Sequence, residues 1–156
     1  MSVEVRPLTV ADAEACDAIV RSLPYHFGHE GGRADCAAAV RRDAGLVAVQ
    51  AGEVVGFLTF VPRFDETAEI TWMAVRDDRR RRGVGHALIA ALEDVLRADG
   101  RRYLALLTVS PNDPDPERPD GYGATRAFYR SAGFSLVRDL PREWESDAAV
   151  LMIKRL

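Results

Sequence analysis

Glu69-Ile70-Thr71-Trp72-Met73-Ala74-Val75, then Arg76 to Arg82, then Gly83-Val84-Gly85-His86, is the stretch on which the reading of the fold turns. An apolar strand leads through a charged loop into a glycine-containing turn. A long amphipathic helix, Val84 to Ala98, follows, with Leu88, Ile89, Leu92, Val95 and Leu96 on one predicted face and Gly100 as its stop. Backbone N–H groups at a helix start have no intrahelical partner and carry positive partial charge, so such a turn attracts anions. Gly83 and Gly85 lack a Cβ and let an anion approach the backbone closely. Arg80, Arg81 and Arg82 add positive charge beside them.

Upstream, Val3 to Arg6 alternates as a short strand. Thr9 to Asp12 reads as a capping box, and Ala13, Cys16, Ile19, Val20 and Leu23 recur at helical spacing behind it. After an aromatic, Gly-rich loop, a second helix is predicted over Ala34 to Arg42. Leu46 to Gln50 and Val54 to Val61 form a hairpin through Ala51-Gly52-Glu53, and Ala68 to Val75 extends it as a third strand. Downstream, Tyr103 to Val109 is a near-continuous apolar run, predicting a central strand covered on both faces. Ser110 to Gly123, with four prolines and four acids, is a long loop. Ala124 to Ala132 is helical and closed by Gly133, and Phe134 to Val137 and Ala148 to Ile153 are final strands. The class is α+β: one mixed, mostly antiparallel sheet of about seven strands, flanked by about four helices on both faces.

The 156 residues predict a single domain, 1–156, large enough to need no disulfide or metal staple. No window is apolar enough to span a membrane, and the first residues show no cleavable leader, so the expected compartment is the cytoplasm. Of 21 basic residues only Lys154 is a lysine, which disfavours pyridoxal chemistry and P-loop nucleotide hydrolysis. Cys16 and Cys36 read as small buried hydrophobes. His26 and His29 lack a third ligand at metal spacing, so no metal is expected.

The glycine turn has rival readings. A dinucleotide fingerprint needs a third glycine where Leu88 stands, and a turn at the strand end rather than after seven polar residues. A nucleic-acid patch of Arg79 to Arg82 is opposed by Asp77, Asp78, a net charge of -3 and the lack of interleaved aromatics. A plain solvated loop is the third. Arg80-x-x-Gly83-x-Gly85 after an apolar strand, however, resembles the acetyl-CoA motif of the GCN5-related N-acetyltransferase (GNAT) superfamily. Ala127-Phe128-Tyr129-Arg130-Ser131-Ala132-Gly133-Phe134 resembles a second element of that family, and the element order matches from first strand to last.

The resemblance implies a splay between the fourth and fifth strands that takes acetyl-CoA. Met73, Ala74 and Val75 would then bond the pantetheine arm through their backbone. Arg80, Arg81, Arg82, Gly83, Val84, Gly85 and His86 would hold the pyrophosphate. Tyr129 would lie near the thioester sulfur as an acid, an N–H near Met73 or Ala74 would meet the oxyanion, and Glu69 would be the base. Strand alternation predicts Glu69 on one face with Thr71, Met73 and Val75. Tyr25, His26 and Phe27 would wall the acceptor site. Tyr122 stands seven residues before Tyr129, where many members have Asn, and Asn112 is a candidate substitute. The implied activity is acetyl transfer to a primary amine of a small molecule or peptide in a ternary complex, without nucleic acid or membrane, in a possible homodimer. The alternatives are an inactive acyl-CoA-binding regulator and an arginine-based nucleic-acid module.

Overall fold

In chain order the elements are β1 (Glu4–Pro7), α1 (Ala13–Arg21), α2 (Glu30–Arg42), β2 (Ala44–Gln50), β3 (Glu53–Phe64), β4 (Thr67–Val75), α3 (Val84–Ala98), β5 (Tyr103–Val109), α4 (Gly123–Ser131), β6 (Ser135–Leu140) and β7 (Ala149–Arg155). The structure is a computed structural model. It describes all residues except Met1, Tyr25, Gly28, His29, 113–121, Arg142 and 145–147. One sheet runs in the order β1-β2-β3-β4-β5-β7-β6. All neighbours are antiparallel except β4 and β5, which are parallel. The predicted class and strand number are those observed. Among the described residues no helix is long and apolar enough to cross a membrane.

The hairpin between β2 and β3 is a two-residue turn. Ala51 (φ 52°) and Gly52 (φ 78°) both take positive φ, the backbone twist that matches paired strands. Helix α2 begins at Glu30, four residues before the predicted start. Its first-turn Gly31 and Gly32 touch nothing where a side chain would stand, and the Arg33 guanidinium donates to the Phe27 carbonyl at 2.8 Å. That bond, with acidic Glu30 in the first turn, extends the helix through residues of poor propensity.

Each sheet face has its own core. On one face Leu88, Ile89, Leu92 and Leu96 of α3 pack on Leu58, Ile70, Leu104 and Leu106, and α4 joins them through Phe128 and Tyr129. On the other, Cys16, Ile19, Val20, Cys36 and Val40 of α1 and α2 pack on Val47, Phe57 and Ala74. Burial pushes both cysteine thiols up to about 12, which makes them inert fillers.

One position of α3 departs from the predicted face. Val95 is exposed, and Glu93 is buried in its stead. The lone lysine accounts for this. Lys154 Nζ lies 2.6 Å from Glu93 Oε1 and donates to the Ala132 carbonyl at 2.5 Å, so β7, α3 and the end of α4 meet at one ammonium.

At the chain start the buried Asp12 carboxylate accepts two bonds from Arg6 (2.9 and 2.8 Å) and one from the Thr9 N–H (2.9 Å), the acidic half of the predicted capping box. The Arg6 hydrogen bonds hold its pKa down at about 2. Because the folded value lies below the unfolded one, this stability is present above the ordinary carboxylate pKa and is lost as pH falls toward 2. Asp12→Asn is expected to cost about 1–2 kcal/mol at pH 7. It should also flatten the loss of stability between pH 5 and pH 2, as read by urea unfolding at several pH values.

Candidate functional site

Strands β4 and β5 pair only at Thr67↔Tyr103, Ala68↔Leu104, Glu69↔Ala105 and Ile70↔Leu106. Beyond that they part. β4 stays with β3 as far as Val75↔Gly56, and β5 stays with β7 as far as Val109↔Ala149. The divergence starts at a bulge. Ile70 opposes Phe60 and Trp72 opposes Thr59, so Thr71 is an extra residue in β4. Bulges bend a strand and sharpen its twist. The Thr71 and Thr59 hydroxyls, 2.8 Å apart, pin this one, and Thr59 is fully buried.

The Arg76 N–H donates to the Val55 carbonyl at 2.8 Å. By strand alternation Trp72 and Ala74 then turn their backbone groups to β3, while Met73 and Val75 turn theirs into the gap. Ala74, expected among the backbone donors, is therefore committed to the sheet. The bulge also corrects the predicted face of Glu69. Ala68 and Ile70 lie in the α3-side core before the bulge; Met73 and Val75 lie on that side after it, with Trp72 and Ala74 opposite. Glu69 thus shares a face with Thr71 and Trp72, not with Met73 and Val75.

The gap opens onto the start of α3. Arg81 (φ 61°) and Gly83 (φ 81°) take left-handed backbone in the turn before it. The first helix-closing bond from this turn runs from the Ala87 N–H to the Gly83 carbonyl at 3.0 Å, which leaves the N–H groups of Val84, Gly85 and His86 without intrahelical partners. Arg76 and Arg79 are tied to Asp78, at 2.6 and 3.1 Å. Arg80, Arg81 and Arg82 are exposed and make no ion pair among the described residues. Three uncommitted cations around a helix N-terminus suit a ligand with several phosphate charges.

The two glycines have different reasons. Gly83 meets nothing within 4 Å, and its positive φ is what excludes a side chain. Gly85 is buried, and a Cβ there would stand 2.7 Å from Phe128 of α4, so its bareness is used against that ring and not left for an anion. His86 is likewise tied to α4: its Nε2 lies 3.0 Å from Ser131 Oγ, and its ring meets Phe128 edge-on at 4.8 Å.

These contacts hold α4 beside the turn. Tyr129, the next residue, is partly buried between Phe128 (5.3 Å) and Phe134 (5.8 Å). Among the described residues its hydroxyl has no hydrogen-bond partner. Burial pushes the phenol up to about 12, so it stays a proton donor at any physiological pH. On the opposite face Glu69 accepts from Arg63 at 2.9 Å. Phe27 packs against Trp72 on this same face, with ring centroids 6.1 Å apart. His26 lies edge-on to Tyr122 at 5.1 Å, and its imidazole is held below the ordinary value first by burial, then by the charge of Arg80. Tyr25 lies outside the described residues. Asn112 is tied to β6 and to the end of β5: its Nδ2 donates to Asp139 at 2.8 Å and its N–H to Ser110 Oγ at 2.9 Å.

Sequence patterns give Trp72 no role and mark Tyr122 only as a departure from the family's Asn. Trp72 is found only by seeing that the bulge turns it toward Phe27.

A seven-stranded mixed sheet, parted at its one parallel pair over an arginine-flanked helix start, defines the protein as α+β. The sequence model of the acetyltransferase (GNAT) family matches residues 13–134, and the chain belongs to that family. Its fold is similar to that of a protein assigned to the GNAT family from Desulfovibrio desulfuricans (22% identity, 99% of each chain, TM-score 0.82). It is also similar to the ribosomal-protein-S18-alanine N-acetyltransferase from Escherichia coli (22% identity, 99% of this chain and 94% of that one, TM-score 0.77). A third similar structure is PaiA N-acetyltransferase from Thermoplasma acidophilum in complex with coenzyme A (17% identity, 100% of each chain, TM-score 0.75). No curated protein matches the chain in sequence. At these identities the likeness is one of fold.

Proposed function

We propose that this chain is an acetyl-CoA-dependent N-acetyltransferase that acts on a primary amine of a small molecule or peptide by direct attack in a ternary complex. The observation that carries the reading is the unpaired edge of β4, at Met73 and Val75, leading to a helix start flanked by three arginines without ion pairs. An amide-bearing arm fits the first part and a pyrophosphate the second. Similar folds that hold coenzyme A support it.

Acetyl-CoA supplies the activated acyl group. The Met73 N–H, in the gap just past the bulge, is the donor for the carbonyl oxygen as it gains charge. Tyr129 donates to the departing sulfur. Glu69, on the face where Phe27 meets Trp72, accepts the proton that the ammonium of the acceptor must lose before its nitrogen attacks. The amine nitrogen then bonds the acyl carbon, the carbon–sulfur bond breaks, and the sulfur leaves as a thiolate hydrogen-bonded to the Tyr129 hydroxyl; the proton that the new amide nitrogen sheds neutralises it to the thiol.

The test is thermal stability with acetyl-CoA, coenzyme A, ATP and NAD, followed by thiol release over a panel of amines. A ligand at a hundred times its Kd adds about 2.7 kcal/mol, seen as a clear rise in Tm. A rise with acetyl-CoA and coenzyme A only, with thiol release in the presence of an amine, is the expected result. No rise removes the cofactor assignment. Binding without transfer to any amine assigns the inactive regulator instead. For Glu69→Gln the expected outcome is a flatter rise of rate with pH at unchanged acetyl-CoA affinity; an identical profile eliminates it as base.

A further inference from the structure

Tyr122 is the residue just before α4, two turns ahead of Tyr129. Its hydroxyl donates to the His26 carbonyl at 3.3 Å, and its ring stands edge-on to the His26 imidazole at 5.1 Å. His26 belongs to the segment between α1 and α2, helices that cover the opposite face of the sheet from α4. A direct contact between the two therefore links the layers on opposite faces of the sheet. The next residue, Phe27, packs on Trp72 of β4, and its carbonyl is held by Arg33 of α2. His26 is also near enough to Arg80, on the turn before α3, to feel its charge. One residue of the α1–α2 segment thus touches the helix of the proposed acid, while its neighbours reach the strand and the arginine turn.

We propose that Tyr122 is a positioning residue: its contact with His26 ties the acceptor-side loop to the helix that carries Tyr129, fixes Phe27 against Trp72, and so sets where the acceptor meets the acyl group. The inference rests on the acetyl-transfer reading for its last step only. Tyr122 touches neither reacting group, so its removal should change how well the acceptor is held more than how fast bound reactants turn over. A long hydrogen bond and one ring edge are modest contacts, worth about a fivefold change in acceptor KM when both are lost.

The experiment uses Tyr122→Phe, which removes the hydroxyl alone, and Tyr122→Leu, which removes the ring edge too. Both are made in a Trp144→Phe background, where Trp72 is the sole indole. Acrylamide quenching of Trp72 should rise in the order parent, Tyr122→Phe, Tyr122→Leu, while the Tm shift given by coenzyme A stays the same. With the amine found in the screen, KM should climb in the same order at a kcat within twofold of the parent. Unchanged quenching in both variants overturns the tie. Increased quenching with an unmoved KM overturns its positioning role. A fall in kcat at constant KM overturns it too, because that pattern marks a group that acts in the chemical step. A parent protein that shows no shift with coenzyme A refutes the acetyl-transfer reading instead, and Trp72 quenching still decides whether the loop is tied to α4. If Tyr122→Leu fails to fold, Tyr122→Phe carries the same comparisons.

Discussion

Tyr129→Phe is expected to lower kcat about a hundredfold while leaving the KM for acetyl-CoA within about twofold, the pattern for a group used mainly in the transition state. The ring contacts with Phe128 and Phe134 survive the change, so the fold should be untouched. Only the O–H is removed, and it has no other partner among the described residues. With the phenol at about 12 and a thiol near 8.5, complete proton transfer to the sulfur is uphill. In the proposed mechanism the hydroxyl therefore acts chiefly by a hydrogen bond that strengthens as negative charge builds on sulfur. A pH signature follows. The rate should rise as the acceptor amine loses its proton and then stay level, with no descending limb below about pH 10, because the donor does not ionise there. Steady-state kinetics from pH 6 to pH 10 on both proteins checks this. A loss of only twofold in Tyr129→Phe would remove the residue from the mechanism.

The second large effect is on the fold itself. Lys154→Met should destabilise the fold by about 2–3 kcal/mol, or about 8 °C in Tm, because it leaves the buried Glu93 carboxylate with only the more distant Arg97 guanidinium, 3.6 Å away. Adding Glu93→Leu should recover most of the loss, since replacing both members of a buried pair by apolar groups is often close to neutral. Urea unfolding of the two variants measures both changes. The Lys154 stem packs over Gly133, where a Cβ would stand 3.0 Å from its Cε, so glycine there leaves the space that this side chain fills. A single variant that loses less than about 1 kcal/mol would show the pair to be solvated and unimportant.

The parts legible in the sequence were those set by local pattern. Val84–Ala98 and Tyr103–Val109 fall where apolar periodicity places them, and the glycine turn lies between β4 and α3 as its residue types require. What escaped depends on partners distant in sequence. The bulge at Thr71 exists only relative to β3, so simple alternation put Glu69 on the wrong face. Glu93 looked polar, and Val95 apolar, until Lys154 arrived from the last strand. Gly85 looked like room for an anion until α4 brought Phe128 to it. The contact of Tyr122 with His26, 96 positions apart, has no local signal at all.

The extra residue in β4 also changes what this strand tolerates. A regular strand is a single rhythm, and its two ends vary together. Thr71 is a dropped beat, so the segment before it and the segment after it keep independent time. Residues 67–70 can be exchanged without altering which backbone groups Met73 and Val75 offer. Deleting Thr71 would restore the regular rhythm and leave every remaining side chain on its present face, but it would remove the bend at which β4 parts from β5. One inserted residue thus lets the two halves of a single strand vary separately.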